Sequence, residues 1–147
     1  MTRVLVVAGL LATVGLWGWA LFVPKPLEPL PEEFRGVFRL YRFEPPDGEP
    51  MPNPFPAGHT HTYTFLEDGA YELSITVSRG YEMIRREGVV EVDDDGVMTL
   101  HQYSENRREL PGAPESFSIR WAEDADGKFL LLRHEQAGYF LYLRPVE

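Results

Sequence analysis

His59 and His61 are the residues whose type and spacing most invite chemistry. They open the run His59-Thr60-His61-Thr62-Tyr63-Thr64-Phe65. Alternate residues of a strand point to one face, so both imidazoles would share a face with Tyr63 and Phe65, the threonines opposite. Metal sites use this spacing, but zinc needs a third ligand and usually a fourth. His101 alternates with Leu100 and is expected to face away from the Met98 and Leu100 side; His134 stands at a strand end. The set is incomplete, so no metal and no other cofactor is expected. The plainer reading is two partly exposed imidazoles where a proline-rich loop meets a strand.

Other candidates for chemistry have simpler explanations. Asp93-Asp94-Asp95-Gly96 lacks the alternating ligands and distal glutamate of a calcium loop and reads as a charged hairpin turn. Arg85-Arg86 and Arg107-Arg108 read as solvated or ion-paired residues of an acidic body. No Gly-x-Ser-x-Gly and no phosphate-cradling glycine loop occurs. The carboxylates are many, but nothing in the sequence sets two of them across a cleft. An enzyme is not expected.

The absence of cysteine excludes disulfides, thiolate metal sites, a cysteine nucleophile and a lipid-modified cysteine. A net charge of −9 with no basic stripe argues against nucleic acid as a partner.

The elements that must position these residues repeat with a period of two from residue 33 onward. Phe34 to Phe43 alternates apolar groups with arginine, and Tyr71, Leu73, Ile75 and Val77 alternate with polar residues. Further strands are expected over 81–86, 88–92, 97–103, 116–121, 128–133 and 139–144. Glu67-Asp68-Gly69, Asp94-Asp95-Gly96, Asp126-Gly127 and Ala137-Gly138 punctuate them as turns. Eight or nine short antiparallel strands with no soluble helix make an all-β meander, and closure into a barrel removes its exposed edges. One connection breaks the rhythm: residues 44–58 carry prolines at 45, 46, 50, 52, 54 and 56, which excludes a central strand. Met51 and Phe55 suggest that this long loop packs against the body.

At this point the chain resembles the bacterial lipocalin-like domains, small members of the calycin group. Gly36-Val37-Phe38 stands on the first strand where lipocalins carry Gly-x-Trp, with Phe38 in the tryptophan's place. Tyr63-Thr64-Phe65 followed by Asp68-Gly69-Ala70-Tyr71 resembles their aromatic hairpin, and Leu141-Tyr142-Leu143-Arg144 their last strand. The likeness spans residues 34–146. It implies an eight-stranded barrel with Phe38, Leu40, Tyr63 and Phe65 facing inward. His59 and His61 would lie towards the mouth, under the proline-rich loop. Tyr63, Phe65, Tyr71, Leu73 and Trp121 would line a pocket suited to a small apolar or amphipathic ligand. The competing expectation is a solid core, in which the same side chains fill each other's space and the domain serves an envelope protein partner from its outer face.

The N-terminus reads as an address. Residues 4–23 are uncharged, and twenty residues at 1.5 Å rise span ~30 Å, the hydrocarbon thickness of a bilayer. Trp17 and Trp19 sit near the far end, as interfacial aromatics do. A retained single-pass anchor and a signal peptide cleaved near Ala20 both place the body outside the cytoplasm. Pro24, Pro26, Pro29 and Pro31 then mark an extended spacer of ~3.1 Å per residue. The expected organisation is an anchor or signal over 1–23, a linker over 24–32 and a β-barrel over 33–147.

Overall fold

The computed structural model describes residues 28–47 and 58–147. The apolar segment 4–23 and most of the proline-rich loop lie outside the described residues. Among the described residues no helix is long and apolar enough to cross a membrane.

Nine antiparallel strands form one sheet: β1 (Gly36–Glu44), β2 (Thr60–Phe65), β3 (Ala70–Val77), β4 (Tyr81–Val92), β5 (Val97–Glu105), β6 (Arg108–Glu109), β7 (Glu115–Asp124), β8 (Gly127–His134) and β9 (Phe140–Pro145). Neighbours run β4-β3-β2-β1-β9-β8-β7-β5, and β4 pairs with β5 to close the ring. The result is an eight-stranded up-and-down barrel, with β6 a short hairpin partner hung on β5. Every expected strand is present. The two expected over 81–86 and 88–92 are one continuous β4, whose pairing with β5 shifts register between Glu87 and Gly88. The glycine that looks like a break is a bulge site instead.

Gly88 is required there by packing. A Cβ at this position would collide with the His101 carbonyl oxygen and come within 2.7 Å of the Tyr71 ring. The ring of Tyr71 therefore occupies the space that a side chain on β4 would need. A second irregularity, between Leu40 and Arg42 in the pairing of β1 with β9, turns both Tyr41 and Arg42 outward. There Tyr41, Phe129 and Tyr142 pack edge and face on one another, with Arg42 and Arg144 over the rings. Asp124 takes two 2.6 Å hydrogen bonds from Arg144.

The barrel has two unlike ends. At the base lie the tight turns β2–β3, β4–β5 and β7–β8, and beneath them a 3₁₀ turn at Glu32–Phe34. Leu30 is 2% exposed, and its N–H donates to the Glu67 carbonyl at 3.1 Å. Phe34 is buried beside it in the same core, and Arg35 Nε donates to the Leu30 carbonyl at 2.6 Å. Residues 30–34 thus belong to the folded body, which begins before residue 33. The prolines around Leu30 fit a spacer as well as a plug, and it is burial that distinguishes the two. Phe38 meets Phe65 and Trp121 at ring centroid distances of 5.8 and 6.1 Å, and Val90, Met98, Leu130 and Leu143 complete a solid floor.

Candidate functional site

The opposite end is hollow. Strand parity brings His61, Tyr63, Leu73 and Ile75 inward from β2 and β3, and Arg86 inward from β4, where it pairs with Leu73. With Leu100 and Gln102 of β5, Phe117 of β7, Tyr139 and Leu141 near β9, and Leu40 and Phe43 of β1, they enclose a cavity of 310 Å³. That is at the lower end of ligand-site volumes, about 300–1,000 Å³, and equals the liquid volume of about ten waters.

Four of the seven residues expected at a binding site lie in this cavity: His61, Tyr63, Tyr71 and Leu73. Phe65 and Trp121 face inward as expected but lie in the floor against Phe38, away from the cavity. Trp121 instead borders an open surface hollow with Glu33 and Lys128. His59 precedes β2 and is half-buried, outside the cavity lining. His101 faces out, 3.6 Å from Glu91. Among the described residues no three His, Asp or Glu side chains converge to hold a metal ion.

Arg86, Gln102, Glu115 and Tyr139 also line the cavity, beyond the residues expected from sequence. Arg86 had a readable signal, since alternation from Ile84 through Arg86 and Gly88 to buried Val90 places it inside. Tyr139 had none, because its position depends on a turn. Its ring lies 5.5 Å from Phe43, 4.8 Å from His134 and 6.3 Å from Phe117. His134 Nδ1 accepts the backbone N–H groups of Gln136 and Ala137 at 3.2 and 3.0 Å, which fixes the β8–β9 turn and with it Tyr139.

The cavity wall is neutral, with charged groups at its doorway. Burial drives the Tyr63 phenol far above its ordinary value. It pushes Tyr71 and Tyr139 up to about 12, with the Glu115 carboxylate adding to the effect. His61 is pushed down to about 4, by burial first and then by His59 and the Arg86 guanidinium. At neutral pH three phenols and a neutral imidazole line the wall. Arg86 Nε donates to Glu105 Oε2 at 2.7 Å, both side chains being partly exposed. Glu115 is exposed at the rim.

The class of protein that fold and site define is an eight-stranded antiparallel barrel with a sealed base and a polar-tipped apolar cavity at its mouth. The chain matches no known family model, no curated protein and no solved structure.

Proposed function

We propose that this chain is a lipocalin-like carrier or sensor domain, tethered outside the cytoplasm by its N-terminal segment, that binds a small apolar or amphipathic ligand without transforming it. The observation that carries this reading is the 310 Å³ cavity, whose polar groups converge on an otherwise aliphatic and aromatic wall. The lipocalin-like part draws on the eight-stranded up-and-down closure and the motif at Gly36-Val37-Phe38. The tether draws on the uncharged run 4–23.

The test is native mass spectrometry of the full-length chain extracted gently from its own membranes. A small organic molecule that is lost on activation supports binding, and its mass gives the ligand class. The same experiment on Leu73→Trp, which fills the cavity, should show the bare chain, whereas Trp121→Ala in the floor should keep the ligand. Equal retention in both variants sinks the reading. The intact mass also reports whether the N-terminal segment is retained.

A second reading, docking of an envelope protein, draws on exposed apolar groups in the half of the barrel near the mouth. Tyr81 is 70% and Tyr103 55% exposed, with Met83 and Leu110 near half. Tyr81→Ser with Met83→Ser should then abolish partner capture while leaving ligand retention intact.

A further inference from the structure

Resting on the reading that the cavity holds a ligand, we propose that its occupant is an uncharged, compact apolar molecule bearing an oxygen acceptor, such as a ketone, ester or ether. The inference comes from counting donors, acceptors and charges.

Tyr63, Tyr71 and Tyr139 all line the cavity. Their hydroxyls have no hydrogen-bond partner among the described residues, and Tyr63 is only 8% exposed. A ligand that displaces water from this space leaves a hydroxyl unpaired unless it supplies a partner, a loss of about 1–3 kcal/mol. A phenol is a better donor than acceptor, and burial keeps all three protonated, so the wall offers three donors at any physiological pH. An acceptor on the ligand satisfies them.

The charges exclude the obvious alternative, a carboxylate on Arg86. That guanidinium already donates to Glu105 at 2.7 Å, and Glu115 borders the same cavity. One cation therefore faces two carboxylates. An anionic head would share that guanidinium with Glu105 and sit beside Glu115, in a field already neutralised by the two carboxylates. A cationic head finds Glu115 only at the exposed rim, where an ion pair is weak. Inside the rim, Leu40, Phe43, Leu100 and Leu141 supply no countercharge, and a buried unpaired charge is far costlier than an unpaired hydroxyl.

The experiment is calorimetric titration of the full chain in lipid nanodiscs, with protein-free nanodiscs as blank. The probes share one skeleton: 1-acetylnaphthalene, its hydrocarbon isostere 1-isopropenylnaphthalene, 1-naphthoate and 1-naphthylmethylammonium. The ketone should bind tightest, with both ions at least tenfold weaker. Tyr63→Phe should weaken the ketone by roughly two- to tenfold, one hydrogen bond's worth, and leave the hydrocarbon unchanged. Naphthoate binding tightest and losing its advantage in Arg86→Gln overturns the neutral-ligand inference while leaving the binding cavity standing. Ammonium binding tightest and losing its advantage in Glu115→Gln does the same. Silence from all four probes overturns the cavity reading beneath it.

Discussion

Leu30→Ala tests whether residues 28–34 seal the barrel or merely precede it. Leu30 is 2% exposed, packs in one cluster with Phe34 and Phe38, and lies at the end of a proline-rich stretch that reads as a spacer. Removing a buried leucine side chain typically costs about 2–5 kcal/mol, depending on how far the surroundings collapse. Leu30 sits at the edge of the core, where the 3₁₀ turn can relax towards the floor. The expected loss is therefore near the lower bound, about 2–3 kcal/mol. For a domain of this size that lowers Tm by roughly 6–15 °C. The assay is thermal unfolding by circular dichroism, with chemical denaturation at 25 °C as a check on the free energy. Pro29→Ala is the control: Pro29 is exposed, and its replacement should change stability by no more than about 0.5 kcal/mol. If Leu30→Ala and Pro29→Ala melt together at the wild-type temperature, the plug does not exist and the segment is the free spacer that its prolines suggest.

Three further outcomes follow from the same geometry. Gly88→Ala should destabilise by about 1–3 kcal/mol or more in urea unfolding, because its Cβ meets the His101 carbonyl and the Tyr71 ring; a silent substitution would mean that β4 and β5 are not paired as described. His61, neutral in the fold down to about pH 4 but with an ordinary value near 6.5 when unfolded, contributes a term that is constant above pH 6.5 and erodes as pH falls towards 4, where the unfolded chain binds the extra proton. Between pH 7 and 5.5 this residue should therefore remove about 1 kcal/mol of stability, and His61→Gln should flatten that part of the profile; an unchanged slope refutes the burial of the imidazole. Replacing Leu73 with Trp should abolish ligand retention without lowering Tm by more than a few degrees, since the bulk enters a cavity rather than a packed floor; a variant that fails to fold would show that the mouth is packed as tightly as the base.

Alternation made the faces of this barrel legible, but not the depths. Tyr63 and Phe65 are two residues apart on one strand and share its inner face, yet one lines the cavity and the other the floor. Which is which depends on the shear of the closed sheet, set by pairings between β1 and β9 and between β4 and β5 that no local pattern encodes. Trp121 went to the floor for the same reason. Arg86 meets the expectation of an ion-paired arginine, with Glu105 at 2.7 Å, and parity also turns it toward the cavity. Its neighbour Arg85 is ion-paired as well, on the outer face, between Glu72 and Glu87 at 2.6 and 3.1 Å. Hairpin chemistry transferred well, since each Asp-Gly turn is a local decision made by a residue at positive φ, as at Gly69 and Gly96. Leu30 lacked any local signal, being one apolar residue among prolines.

The barrel is asymmetric along its axis. Leu30 is bound to the β2–β3 turn at the base, and the cavity lies toward the other end. If residues 4–23 anchor the chain as proposed, the anchor joins the body at the base, the end opposite the cavity. The floor of the barrel is solid. Its aromatic and aliphatic packing supplies the stability that the hollow mouth forgoes.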